Sequence, residues 1–379
     1  MRLAVLRETD PRERRVALVP SDVPALVEAG WEVCVEAGSG AGSGFSDDAY
    51  RDAGAQIESD RGALVQGIRC LLKVRPPVLG SESGDDLGDA PSGTILVSFL
   101  SPGGAPTLPE ALALRGISAL AMERIPRTTR AQRMDALSSQ ATAAGYQAVL
   151  LAATHLPRFF PMLTTAAGTV RPAKVTVLGA GVAGLQAIST ARRLGAVVHG
   201  YDIREAAAEQ VRSLGATFLQ EEEALPEEGE AEGGYARALG ETERDRQLAF
   251  LGRHIPKADV VITTAQIPGR SAPLLVTRDM VERMPTGAVV VDLAGETGGN
   301  CELSVAGETV VHEGVTILAP VDLPSGVAQH SSQMLSTNIS ALLGLLVRDG
   351  NLILDVSDDI VDGVLVTHDG AVRIPSTGE

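Results

Sequence analysis

The chain has 379 residues, enough for two domains each with its own core, and its 44% hydrophobic content suits a soluble globular protein. A net charge of −16 excludes nucleic acid as a partner, because phosphate backbones need a basic face; the plainer use of such a charge is solubility. Cys34, Cys70 and Cys301 are far apart, without metal-ligand spacing, which fits a reducing compartment and no metal site; Cys301 reads as structural. The opening MRLAVLRETDPRERR turns charged too soon for a signal peptide, and no window is apolar for long enough to span a bilayer.

Taken in order, residues 2–6 predict a strand, and Ser21 caps a helix that runs to Glu28 and stops at Gly30. Residues 31–36 form a strand, and Ser46 opens a short helix with Asp47 and Asp48 in its first turn. Residues 68–74, 94–99 and 117–123 are apolar strands, 80–92 a solvated loop and 108–113 a short helix. This alternation predicts an open α/β domain with a largely parallel sheet. Residues 134–155 read as an interdomain helix ended by Pro157. Residues 159–172 could form a hairpin, either an oligomer contact or a plain connector.

Residues 174–202, KVTVLGAGVAGLQAISTARRLGAVVHGYD, organise the second half. An apolar strand meets Gly179-Ala180-Gly181-Val182-Ala183-Gly184, a helical pattern follows over 185–194, and a second strand ends at Asp202. That is a βαβ unit able to hold a dinucleotide. Gly179 permits the tight turn, Gly181 lets backbone N–H groups approach a pyrophosphate, and Gly184 lets helix and strand pack closely. Asp202 can accept from ribose hydroxyls and repel a 2′-phosphate, favouring NAD over NADP, although Arg204 could pair with such a phosphate. The alternative is a glycine-rich turn without ligand.

Beyond it, 206–214 is helical, 217–219 a short strand and 221–240 an acidic stretch, either a disordered insertion or a loop folding over cofactor with Tyr235 as anchor. Helices follow at 242–253, 278–283 and 339–347, and strands at 260–264, 288–293 and 315–319, before a tail, 352–374, of short exposed strands and turns. The fold expected is α/β: two Rossmann-like, open parallel-sheet domains joined by long interdomain helices. Residues 138–326 make the dinucleotide domain, and 1–137 with 327–379 make the other.

A second constellation, residues 123–140 (ERIPRTTRAQRMDALSSQ), follows a predicted strand end, where α/β sheets place ligand loops. Taken alone it reads more readily as a cap plus an exposed polar helix start than as a ligand loop. However, RTTRAQRMDALSSQ (127–140) resembles the signature of the NAD(H)-binding soluble component, the alpha subunit, of proton-translocating NAD(P) transhydrogenase. The resemblance continues through AAGYQAV (143–149), residues 164–188, GGYA (233–236), TTAQIPG (263–269) and VVDLAGETGGNCEL (290–303). It implies that Arg127, Gln132 and Asp135 place the nicotinamide, with Asp135 on the carboxamide and Gln132 bridging toward the second nucleotide. Ser138 would join them, and Gly179, Gly181, Val182, Gly184, Asp202, Ile203 and Arg204 would hold pyrophosphate and ribose. Gly234, Tyr235, Gln247, Ala265 and Gln266 would complete the pocket.

The same family is related to alanine dehydrogenase, whose pattern appears in RRVALVP (14–20), GSGAGSGFSDDAY (38–50) and LLKV (71–74). Arg15 and Lys73 match that enzyme's substrate-binding positions, but the histidine expected after strand 94–99 is missing, and no histidine precedes His155. An amino-acid dehydrogenase must move a proton as well as a hydride, so Arg15 and Lys73 read as structural remnants. What the resemblance implies is direct hydride transfer from NADH bound here to NADP⁺ on another subunit, with reacting carbons roughly 3–3.5 Å apart and no acid or base. It also implies a homodimer, membrane-spanning partner subunits that pump the proton, and a cytoplasmic location peripheral to the inner membrane.

Overall fold

The computed structural model describes residues 1–80, 84–100, 107–220, 240–267, 270–348 and 350–373. The chain divides into two compact units: residues 1–140 with 324–379, and residues 141–323 between them. The breaks at 140/141 and 323/324 stand three residues from the sequence-based boundaries at 137/138 and 326/327.

The first unit lays down β1 (Arg2–Val5), α1 (Val23–Glu28), β2 (Glu32–Glu36), α2 (Asp47–Asp52) and β3 (Gln56–Glu58). Next come α3 (Arg61–Val65), β4 (Cys70–Leu72), β5 (Ile95–Ser98), α4 (Thr107–Leu114) and β6 (Ser118–Ala121). Helix α5 (Ala136–His155) carries the chain into the second unit. There a hairpin of β7 (Leu163–Thr165) and β8 (Gly168–Val170) precedes β9 (Lys174–Leu178), α6 (Val182–Arg193) and β10 (Val197–Tyr201). Then follow α7 (Ala207–Ser213), β11 (Thr217–Phe218), α8 (Glu241–His254), β12 (Val260–Thr263), α9 (Arg278–Glu282), β13 (Val289–Asp292), β14 (Thr309–His312) and β15 (Val315–Leu318). The chain returns through a 3₁₀ turn, Leu323–Val327, into α10 (Ala328–Leu346), the small pair β16 (Val347–Arg348) and β17 (Asn351–Leu352), α11 (Asp359–Val364), β18 (Leu365–His368) and β19 (Ala371–Val372).

Among the described residues the first sheet is ordered β19-β18-β6-β5-β4-β1-β2-β3 and the second β11-β10-β9-β12-β13-β15-β14. Both turn back on themselves beside the first strand of a βαβ series, β1 against β4 and β9 against β12, which in open α/β sheets marks the ligand end. Central strands are continuous apolar runs, as burial on both faces demands: VVIT of β12 and VVVD of β13 are fully buried. The small-residue run of α5 has a packing reason within the second unit. A Cβ on Gly145 would lie 2.1 Å from the carbonyl oxygen of Ala183, so α5 and the start of α6 are in backbone contact.

Four expectations change. Ser21 does not cap α1: it lies in a 3₁₀ turn, Pro20–Asp22, and Asp22 holds the N-cap position, with proline in the helix's first turn. The helix predicted from 339 begins at Ala328, because its serines are buried and bonded: Ser332 and Ser336 hydroxyls accept the N–H of Val16 and Val19, both at 3.0 Å. Strand β14 was missed, and it pairs antiparallel with β15. The tail is exposed only in part: Val366 and Thr367 in β18 are fully buried, and β18 adds antiparallel to β6 across a bulge. The Thr367 hydroxyl occupies that bulge, donating to the Ile117 carbonyl at 2.7 Å and accepting the Ala119 N–H at 3.1 Å.

Candidate functional site

In the second unit, β9 ends at Leu178 and the chain turns at Gly179, whose φ of +98° suits glycine alone. Gly181 is the N-cap of α6 and Val182 its first residue, 41% exposed. The three glycines answer to different neighbours. A Cβ on Gly179 would lie 2.6 Å from the Thr264 hydroxyl, and one on Gly184 would lie 1.9 Å from the Gly179 carbonyl oxygen. Among the described residues, a Cβ on Gly181 would meet no atom within 4 Å, so none of them requires glycine at that position. The open space lies at the amino end of a twelve-residue helix, where free N–H groups and the helix dipole favour a phosphate, so the cradle fits a dinucleotide.

Asp202, directly after β10, is held more tightly than its proposed role suggests. Its Oδ2 accepts the Ala180 N–H at 2.7 Å and Arg204 Nη2 at 2.9 Å. Its Oδ1 accepts the backbone N–H and Nε of Arg204, both at 2.9 Å. A carboxylate offers about four lone-pair sites, and all four are taken. Arg204 is therefore folded back onto Asp202 rather than extended for a 2′-phosphate. Ile203 between them is half-buried.

The facing strand end supplies a wall that the sequence reading left out. The Thr264 hydroxyl donates to the Gly179 carbonyl at 3.1 Å, tying the glycine turn to β12. The Ala265 N–H donates to Asn300 Oδ1 at 3.1 Å, and Asn300 Nδ2 donates to the carbonyls of Ala265 at 2.9 Å and Pro273 at 2.8 Å. Asn300 is held in turn by Asp292, which is fully buried at the end of β13. Asp292 accepts from Thr263 Oγ1 (2.9 Å), Ala294 N (3.0 Å), Asn300 N (2.8 Å), Cys301 N (3.0 Å) and Ser304 Oγ (2.7 Å). The visible signal was an acid closing an apolar strand and followed by GETGGN. Gln266 is exposed, with its amide on the Leu293 carbonyl at 3.1 Å, and Gln247 is buried with its amide 3.3 Å from the Tyr201 hydroxyl. Burial pushes the Cys301 thiol up to about 11, as befits a structural cysteine. Gly234, Tyr235 and the acidic stretch around them lie outside the described residues.

In the first unit, the signature loop runs as a 3₁₀ turn, Thr129–Met134, into α5. Arg127 and Gln132 are exposed on it. Asp135 closes the turn and starts the helix: its oxygens accept the N–H of Ser138 at 2.9 Å and the Ser138 hydroxyl at 2.6 Å. Arg130 grips the returning segment, pairing with both oxygens of Asp358 at 2.7 Å and with Asp359. Its hydrogen bonds hold the Asp358 carboxyl down at about 2, while Asp358 itself caps α11.

Arg15 and Lys73 are both engaged within the first unit. Arg15 clasps Glu13 through Nε at 2.8 Å and Nη2 at 2.6 Å, and gives Nη1 to Gln140 Oε1 at 2.8 Å. Lys73, 1% exposed, lies 2.9 Å from Asp86 and 3.3 Å from Glu8. Burial pushes the Glu8 carboxyl above its ordinary value, with Lys73 pulling the other way.

Residues 4–144 match the family model for the N-terminal domain of alanine dehydrogenase/PNT, and residues 148–375 match that for its C-terminal domain. The chain is 44% identical over 382 residues to the first part of the NAD(P) transhydrogenase subunit alpha of Rhodospirillum rubrum, with 100% of both chains covered. It is 30% identical over 386 residues to the alanine dehydrogenase of Halomonas elongata, covering 100% of this chain and 96% of that one. A solved transhydrogenase from Sinorhizobium meliloti matches with a TM-score of 0.87 at 43% identity, over 98% of this chain and 100% of that chain. An L-alanine dehydrogenase structure matches with a TM-score of 0.80 at 27% identity, over 99% and 98%.

Proposed function

We propose a function from one premise: the chain belongs to the alanine dehydrogenase/PNT family and, within it, to the NAD(P) transhydrogenase alpha subunits. It binds NAD(H) and exchanges hydride with NADP(H) held by a partner subunit. Membrane-spanning partners couple that exchange to proton translocation. Among the described residues no helix is long and apolar enough to cross a membrane, so proton movement is assigned to those partners. The working form is a homodimer on the cytoplasmic side, peripheral to the inner membrane.

The observation that carries this reading is the open space beside Gly181 at the start of α6. Gly179, Gly181, Val182 and Gly184 receive the pyrophosphate there, with Thr264 fixing the turn. Asp202, Ile203 and Arg204 take the adenosine ribose, and Arg204 must release at least one lone pair of Asp202 for a hydroxyl to enter. Gln247, Ala265 and Gln266, with Gly234 and Tyr235, line the remainder. Arg127, Gln132, Asp135 and Ser138 orient the nicotinamide and the partner's nucleotide. Bound NADH supplies the hydride, and the chain's contribution is binding, orientation and exclusion of water.

The test is to mix the purified chain with an NADP(H)-binding partner subunit and follow reduction of a nicotinamide-modified NAD analogue by NADPH. Reduction that requires both proteins is expected. No exchange in the mixture, or turnover of alanine by the chain alone, overturns the reading.

A further inference from the structure

The signature loop, 127–140, has its last residues fastened by side chains that the proposed function does not use. One is Asn338 of α10, 7% exposed. Its Nδ2 donates to the carbonyl of Arg133 at 2.8 Å, and its Oδ1 accepts the Ser139 hydroxyl at 2.7 Å. One amide thus spans Arg133 to Ser139, and Asp135 and Ser138 lie inside that span, with Gln132 directly before it. Gln140, the loop's last residue, donates to the Ser331 carbonyl of the same helix at 3.1 Å and to the Ser139 hydroxyl at 3.2 Å, while Arg15 donates to its oxygen.

The chemistry of the pair is directional. A carbonyl can only accept, and Asn338 presents its donor there; its own oxygen takes a hydroxyl hydrogen. Aspartate at this position would turn an oxygen toward the Arg133 carbonyl, and leucine would fill the volume while making neither bond. The loop also needs such a brace. A 3₁₀ turn of six residues has poor internal hydrogen-bond geometry, and the Asp135 cap joins it to α5.

We propose that Asn338 is a positioning residue for hydride transfer: it fixes the backbone on either side of Asp135, and through it the placement of Gln132, Asp135 and Ser138. This rests on the reading of that loop as the nicotinamide-placing element. Arg15, at a position that serves substrate in a related enzyme, here steadies the same loop end through Gln140. The pyrophosphate and ribose contacts belong to the second unit and do not involve Asn338. The expected signature is therefore a split between rate and affinity. A displacement of about 1 Å in a positioning element costs on the order of 10²-fold in rate.

The experiment uses the full chain with its NADP(H)-binding partner and compares Asn338→Leu, Asn338→Asp, Ser139→Ala and the Ser139→Ala/Asn338→Leu double variant. NADH affinity is measured by titration, hydride transfer by single-turnover reduction of the NAD analogue, and folding by circular dichroism. Expected are a ten- to hundredfold slower transfer in both Asn338 variants, a NADH dissociation constant within about threefold of wild type, and a double variant slowed by less than the product of the two single losses. Ser139→Ala removes the hydroxyl's contacts with Asn338, Gln140 and Ala136 but leaves the bond from Asn338 to the Arg133 carbonyl, and it serves if the Asn338 variants do not fold. Transfer within about threefold of wild type in every folded variant, or equal losses in rate and affinity, overturns the proposal. Gln132→Asn is run alongside. If it slows transfer while the Asn338 and Ser139 variants do not, the positioning role alone is wrong; if none of them affects transfer, the reading of the loop fails.

Discussion

Asp292→Asn is the sharpest test of how the second unit holds its site wall. The native carboxylate is fully buried and accepts five hydrogen bonds, three of them from backbone N–H groups. Asparagine keeps the shape but turns one acceptor into a donor. In its better orientation the new NH₂ faces Thr263, whose hydroxyl can rotate to accept, and the Ala294 N–H, which cannot. One orphaned backbone donor costs about 1–3 kcal/mol. The bonds from Asn300, Cys301 and Ser304 pass from charge-assisted to neutral, at about 1 kcal/mol each. Removing a buried charge returns part of this, leaving a net loss of about 3 kcal/mol. For a unit of this size that corresponds to a fall in melting temperature of roughly 6–12 °C, read by thermal circular dichroism at neutral pH. Because Asn300 also grips Ala265, NADH affinity should fall in the protein that remains folded. A melting temperature within about 2 °C of wild type refutes the reasoning.

Lys73→Met strips the buried cation from Glu8 and Asp86 and should cost about 3–5 kcal/mol near pH 8 by urea unfolding. The deficit should shrink toward pH 5: the folded-state pKa of Glu8 is raised, so its contribution is complete at low pH and lost as pH rises through that pKa. A pH-independent deficit would exclude Glu8 as the stranded group. Asp202→Ala should weaken NADH binding in calorimetric titration, and unchanged affinity removes the ribose assignment. Arg130→Met should lower the melting temperature between pH 5 and 7, with the gap to wild type closing as pH falls through about 2, where Asp358 takes up its proton. A gap that persists at about pH 1.5 points to packing instead of charge.

The βαβ unit was legible because each of its signals is local: an apolar run, three glycines, a helical stripe and a closing acid. The polarity of Asp202 was legible too, but its engagement was not, since nothing in the sequence says that Arg204 folds back onto it two residues later. The first half of α10 escaped because AQHSSQMLSTN looks like a solvated segment. Its serines are buried only because a loop segment more than 300 positions earlier supplies the N–H groups they accept. The tail escaped for the same reason: four residues, LVTH, become an interior strand only when β6 is there to receive them. Asn300 and Asp292 lay inside a stretch matched as a family motif, yet their role as a brace is a property of bonds, not of spacing.

The interleaving of the two units bears on the order in which the protein matures. Residues 141–323 are contiguous and can close upon themselves during synthesis, whereas the segment bearing Gln132 and Asp135 waits for Asn338 and Asp358, which emerge 205 and 228 positions after the groups they hold. On the proposed reading, the glycine turn of a growing chain can therefore form before the loop bearing Gln132 and Asp135 is braced.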